Sequence, residues 1–331
     1  MSDEILPIPT VPDGLREAGQ RGILIPFVGA GASKLAGCPG WSEFADGALS
    51  CFVDRGKFSY SQLAQIKHLN PRVKLSLARA LQNEHEIKID FRELLHPSKQ
   101  RDIAKGRRLY ASLSNLGKTF VTTNYDEWLD KEFPNPMLSA EPEPNPPAVE
   151  VLNQRIVIHK IKDLIPANLS QPNTVIHLHG SLLDPEKMIL TTQDYVEHYA
   201  NDRFAGDASK ENRVLTFLEH LFQHKTVLFI GYGLDELEIL EYVILKARRI
   251  PRSKEIKHYL LQGFFSHEHE LMRSLKAYYL KECGIQLIPF LRDQKDWEQL
   301  LDVLEEFARL VPVSEPMVLQ KFQEMEGFLN D

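Results

Sequence analysis

Four short segments carry residue types able to bind or activate a polar ligand. Residues 29–33 read GAGAS, 122–126 TTNYD, 177–180 HLHG and 231–236 GYGLDE. Gly29 and Gly31 permit positive φ and close approach of backbone to ligand. Ser33 would open a helix whose unpaired N–H groups can receive a phosphate. This segment departs from GxGxxG, because Lys34 stands where the third glycine belongs. No acidic residue closes a second strand where a dehydrogenase holds its ribose, and GxxxxGK[ST] is absent. GAGAS therefore fits either a phosphate cradle or a packing turn.

Asn124 and Asp126 also admit two readings. Both residue types cap turns by bonding nearby backbone, and both would serve catalysis at the mouth of a sheet. Asparagine offers donor and acceptor without adding charge. His177 and His179 share a strand face by the period of two. His179, immediately before Gly180, is the better placed to face a ligand, and an imidazole with an ordinary pKa of about 6.5 suits a base at neutral pH. A metal pair would lack a third ligand at suitable spacing. GYGLDE repeats the strand-to-glycine pattern, with Asp235 as a cap for the next helix. Two glycine-rich strand ends about 200 residues apart suggest a dinucleotide across a switch point, phosphates near one loop and ribose or base near the other.

The elements that must position these groups are legible as apolar runs. Residues 23–28 (ILIPFV), 119–123, 174–182 and 226–230 read as strands that stop at the four segments. Further strands are expected at 155–161, which alternates like an edge strand, and at 188–190, 256–262 and 285–290. Helical spacing occupies 11–20, 41–70 and 72–116, with Asn70-Pro71 as a break, and about 193–223, with a glycine-containing break at 206. It returns at 236–249, 266–281, 295–310 and weakly at 314–331. Six prolines between 133 and 149 forbid regular helix there. Strands alternating with helices predict an α/β fold: a Rossmann-like, mostly parallel sheet with helices on both faces. One domain over 1–331 is expected, with a core of 20–44 and 117–295, a mainly helical insertion at 45–116 and C-terminal helices at 296–331.

Composition excludes several classes. The 331 residues are 43% hydrophobic and 26% charged, ordinary for a soluble globular protein. A net charge of −7 argues against a nucleic-acid surface. No apolar run approaches the roughly 18 residues that span a bilayer, and the acidic N-terminal segment lacks a secretory pattern. The three cysteines, Cys38, Cys51 and Cys283, form no CxxC pair. They supply neither a disulfide framework nor a four-cysteine zinc site, so a reducing cytoplasm is the expected location.

Taken in order at their strand ends, GAGAS, TTNYD, HLHGS and GYGLDE resemble the SIR2 (sirtuin) NAD-binding fold, in particular its bacterial SIR2-like branch, over about residues 20–295. The resemblance implies that NAD+ is the substrate and that Gly29, Ala30, Gly31 and Ser33 cradle its phosphates. It implies that Asn124 contacts the nicotinamide ribose and orders the attacking water, that Asp126 lies near the carboxamide, and that His179 is the general base. Gly231, Tyr232 and Gly233 would line the adenosine side, with 259–262 near the adenine. Protein deacylases of that family carry two CxxC pairs, a QNID-like segment and a GIPDFR-like segment. Here there is no CxxC pair, TTNYD replaces QNID, and 37–41 reads GCPGW. The helical insertion stands in place of the zinc-bearing small domain, and no metal is expected.

The branch implies an NAD+ glycohydrolase that yields ADP-ribose and nicotinamide, acting as a gated NAD-depleting effector in antiphage defence (abortive infection). Such an activity would kill its host if constitutive. The expectation therefore includes a regulatory partner protein, a nucleotide trigger, or homo- or hetero-oligomeric assembly, with the insertion and the C-terminal tail as contact surfaces. Neither direct nucleic-acid binding nor membrane association is expected. Two alternatives are an NAD-dependent ADP-ribosyltransferase or protein deacylase, and a non-catalytic NAD or ADP-ribose sensor subunit.

Overall fold

Seven strands form one sheet in the computed structural model, which describes residues 4–96, 102–134, 153–199, 212–233 and 258–314. They are β1 (Leu24–Val28), β2 (Thr119–Thr122), β3 (Ile156–Ile158), β4 (Thr174–His177), β5 (Thr226–Ile230), β6 (His258–Phe264) and β7 (Ile285–Leu291). Their order is β3-β4-β2-β1-β5-β6-β7, and all six pairings are parallel. β1, β2, β4 and β5 are buried along their whole length. A parallel strand covered on both faces needs apolar or β-branched residues throughout, so these strands appear in sequence as unbroken runs. The chain leaves β1 for β2 on one side and later places β5 on the other. Strand order thus reverses at β1, which opens a crevice beyond its carboxyl end.

Eleven helices among the described residues flank or extend the sheet. They are α1 (Asp13–Gln20), α2 (Ala30–Leu35), α3 (Trp41–Val53), α4 (Tyr60–Gln65), α5 (Pro71–His85), α6 (Phe91–Leu95), α7 (Ile103–Ser114), α8 (Thr192–Tyr199), α9 (Arg213–His224), α10 (His269–Tyr278) and α11 (Gln299–Leu310). Successive strand residues point to opposite faces. Val28 joins a core with Leu15, Leu109, Leu113, Leu304 and Phe307, so α1, α7 and α11 cover one face. Phe27 joins Phe217, Leu221 and Met272, so α9 and α10 cover the other. A third core belongs to the insertion, where Phe44, Leu49, Phe52, Leu75 and Phe91 pack with Tyr125, Leu182, Met188 and Leu190. The insertion is therefore seated on the loops that follow β2 and β4.

Asn70-Pro71 is a helix start. The Asn70 side chain accepts from the Arg72 N–H at 2.9 Å, and Pro71 sits in the first turn, where its missing N–H costs nothing.

The structure corrects several boundaries. Residues 188–190 form no strand: Ile189 N–H bonds the His179 carbonyl, and its own carbonyl accepts from the Tyr125 hydroxyl. Met188 and Leu190 are apolar because they are buried against the insertion. The edge strand expected at 155–161 shortens to three residues. The helix expected at 266–281 is a 3-10 turn, α10 and a π turn closed by Gly284 at φ +68°. The expected stretch 193–223 contains α8 and α9, the latter capped by Asn212. The break at 206, nearly all of the proline segment, the helix at 236–249, Asp235 and the tail beyond 314 lie outside the described residues.

Candidate active site

A cleft of about 840 Å³ lies over the carboxyl ends of β1, β2 and β5. Ala30, Gly31, Ser33, Asn124, Asp126, His179, Gly231, Tyr232 and Gly233 line it; Gly29 does not. The crevice of the strand reversal thus gathers nine of the ten residues singled out from sequence.

The two glycine loops expected at opposite ends of a ligand are in contact with each other. Gly29 N–H bonds the Ile230 carbonyl at 2.9 Å, and Gly31 N–H bonds the Gly231 carbonyl at 2.8 Å. Gly231 has φ +60°, and a Cβ there would lie 2.3 Å from the Ala32 nitrogen. A Cβ on Gly29 would meet the Gly231 oxygen at 2.7 Å. The glycines let the loops interlock, and the N–H groups of Gly29 and Gly31 are consumed in doing so. Ser33 does not open the helix: Gly29 is the N-cap, and Ser33 is the fourth residue of α2. The Tyr232 ring lies against Phe27 and Phe229, with centroids 5.1 and 5.6 Å away.

Ser33 instead ties the catalytic candidates together. Its hydroxyl accepts from Asn124 Nδ2 at 2.8 Å and donates to Asp126 Oδ2 at 2.6 Å. It lies 3.0 Å from the Tyr110 hydroxyl. A hydroxyl has one proton; since that proton goes to Asp126, Tyr110 must donate. Burial, with the Asp126 charge beside it, raises the Tyr110 pKa well above 10 and keeps it a phenol. The Trp128 N–H satisfies Asp126 Oδ1 at 3.1 Å.

Asn124 is held at three points. Its N–H bonds Thr122 Oγ1 at 3.0 Å, its carbonyl faces His177 Nδ1 at 2.7 Å, and its amide nitrogen is the one bonded to Ser33. Thr122 Oγ1 in turn donates to the Val28 carbonyl at 2.7 Å, joining this turn to β1. These bonds leave Asn124 Oδ1 as an acceptor on a residue that lines the cleft. The capped turn and the presented amide coexist.

The two histidines separate. β4 ends at His177, so the alternation that would put both on one face does not reach His179. His177 turns to Asp130, with Nε2 at 2.8 Å from Oδ1. His179 enters the cleft wall, with Nε2 at 2.7 Å from the Tyr199 hydroxyl and Nδ1 at 3.3 Å from that of Tyr195. Burial, then the electrostatic coupling to His198 and the Arg72 guanidinium, pushes the His179 pKa well below 6.5. It is neutral at physiological pH and retains a lone pair for a proton.

Sequence reasoning missed the insertion's share of the wall. Asn70, Arg72 and Leu95 reach the cleft from it, Trp41 from the first residue of α3 just before it, and Tyr195 arrives from α8. The Arg72 guanidinium lies 3.6 Å over the Tyr195 ring. Among the described residues, the charged side chains of the lining are Lys34, Arg72 and Asp126. The signal that was available is the Asn70-Pro71 cap, which places Arg72 at a helix start. Among the described residues, no three His, Cys, Asp or Glu side chains gather as a metal site needs, and no helix is long and apolar enough to cross a membrane. A family model for a SIR2-like domain matches residues 118–288, just over half of the chain.

Proposed function

Because the chain belongs to the SIR2-like domain family, we propose that it is an NAD+ glycohydrolase, cleaving NAD+ to ADP-ribose and nicotinamide. The observation that carries this reading is the pairing in one cleft of a fixed Asn124, its Oδ1 left as acceptor, with a neutral, proton-accepting His179. The cleft's volume lies in the range of small-molecule sites. Lys34 and Arg72 suit a pyrophosphate, and the Asp126 carboxylate, already accepting two bonds, has lone pairs left for a carboxamide N–H.

In this reading the C1′–N bond of the nicotinamide ribose breaks, its electron pair leaves with nicotinamide, and C1′ becomes oxocarbenium-like. Water held by Asn124 Oδ1 adds its oxygen to C1′. Its proton passes to His179, directly or through the Tyr195 hydroxyl. The leaving group is already cationic and needs little acid catalysis, so positioning and electrostatics carry the work.

The same reading makes the protein a gated effector of antiphage defence, controlled in trans by a partner, a nucleotide or assembly. What supports control through the insertion is that Asn70, Arg72 and Leu95 form part of the cleft wall, so binding to those helices acts on the site itself.

The test is nicotinamide release from NAD+ by the purified chain, alone and with lysate from phage-infected cells, beside Asn124→Ala and His179→Ala. Release that falls by roughly 10²–10³ in either variant supports hydrolysis at this site. Modified protein in place of free ADP-ribose identifies a transferase. Binding without release under any condition identifies a sensor.

A further inference from the structure

The His177 side chain is sealed from solvent, and each ring nitrogen faces an oxygen. Nδ1 is 2.7 Å from the Asn124 carbonyl, and Nε2 is 2.8 Å from Asp130 Oδ1. A carbonyl has no proton to give, and a neutral imidazole has one N–H. Two acceptors therefore require two N–H groups or a protonated Asp130. The Arg155 guanidinium, held by the carbonyls of Leu129 and Lys131, interacts with Asp130 from the other side. The other titratable groups facing the imidazole are Asp126, from the same loop, and His159, beyond β3.

We propose that His177 is the positioning residue of this site: an imidazolium paired with Asp130 that clamps the Asn124 carbonyl and so keeps the Asn124 amide aimed into the cleft. The inference rests on Asn124 acting in NAD+ cleavage. Burial alone would push His177 towards the neutral form, but the hydrogen bond and charge of Asp130, then the Asn124 carbonyl and Asp126, outweigh it and raise the pKa above 6.5. A charge-assisted bond is roughly twice as strong as a neutral one, and it acts one bond sequence away from the amide that must stay fixed. When pH rises through the His177 pKa one N–H is lost, an acceptor is stranded, and the Asn124 peptide loosens.

Two readouts test this on the full chain. The first is the nitrogen NMR of histidine-labelled protein near neutral pH, with the His177 signals assigned from His177→Gln, or from Asp130→Asn if that variant does not fold. Both ring nitrogens protonated is the expected result; one protonated and one bare nitrogen overturns the proposal whatever the activity. The second is kcat against pH. Wild type loses kcat on an alkaline limb. Asp130→Asn moves that limb to lower pH and lowers kcat roughly 10- to 100-fold at mildly alkaline pH, as expected for a displaced group, with KM changed less than about threefold. A profile for Asp130→Asn that superimposes on wild type overturns it. The NMR result does not depend on turnover, so a chain that fails to cleave NAD+ removes the glycohydrolase reading while the charge state of His177 is still decided.

Discussion

Replacing Gly231 by alanine tests the interlocked loops directly. The backbone there has φ +60°, and Gly56 has nearly the same value, +66°. A Cβ on Gly56 meets nothing within 4 Å, whereas on Gly231 it falls 2.3 Å from the Ala32 nitrogen and 2.9 Å from the Gly31 carbonyl carbon. The left-handed conformation costs an L-residue about 1–2 kcal/mol, and both variants share that cost. Gly231→Ala must also push 29–32 and 231–232 apart. Overpacking of this kind costs about 1–3 kcal/mol, and loss of the bond from Gly31 N–H to the Gly231 carbonyl adds about 1 kcal/mol. Gly231→Ala is therefore expected to lose about 3–6 kcal/mol and Gly56→Ala about 1–2 kcal/mol, against a total stability of about 5–15 kcal/mol. Urea midpoints at constant slope measure the difference. Gly231→Ala should also weaken NAD+ binding, because the displaced loops line the cleft, while Gly56→Ala should leave it unchanged. Equal midpoints for the two variants would refute the interlock, since the shared backbone term would then explain everything.

Two further outcomes follow from the same geometry. Ser33→Ala strands the Asn124 amide N–H and the Tyr110 hydroxyl and deprives Asp126 of a donor; it should lower stability by about 1–3 kcal/mol and kcat by roughly tenfold with little change in KM, and unchanged steady-state kinetics would contradict the positioning role. His198 is held neutral down to about 4 by burial, and His179 is shifted in the same direction. The unfolded chain takes up protons from about pH 6.5 downwards while the folded chain does not, so this stability is complete above 6.5 and is lost as pH falls to about 4, by about 3 kcal/mol for His198. Urea midpoints between pH 7 and 4 should fall less steeply in His198→Phe than in wild type; parallel curves would remove His198 as a cause.

Much of the fold was present in local sequence. Strands buried on both faces must be apolar along their length, so β1, β2 and β5 announced themselves within a residue or so, while β4, expected over 174–182, begins where expected but ends at His177; each led into a polar or glycine-rich segment at a carboxyl end. The parallel sheet and the place of the site follow from that alternation. Local pattern failed at residues 188–190, where burial comes from a neighbouring helical core and not from a ladder. It also failed at His179, because period two holds only while the strand continues.

What tertiary structure alone decided is which side chains meet across the chain. Ser33 reaches partners 77, 91 and 93 residues away, and no spacing rule links a helix position to another helix or to a loop at that separation. The closure of one glycine loop on the other, the division of labour between His177 and His179, and the arrival of Arg72 beside Tyr195 are of the same kind. Sequence determines which face an element buries, because that depends on its own periodicity. Which groups then share a hydrogen bond depends on how separate elements pack, and that exists only once the sheet, the helices and the insertion are assembled.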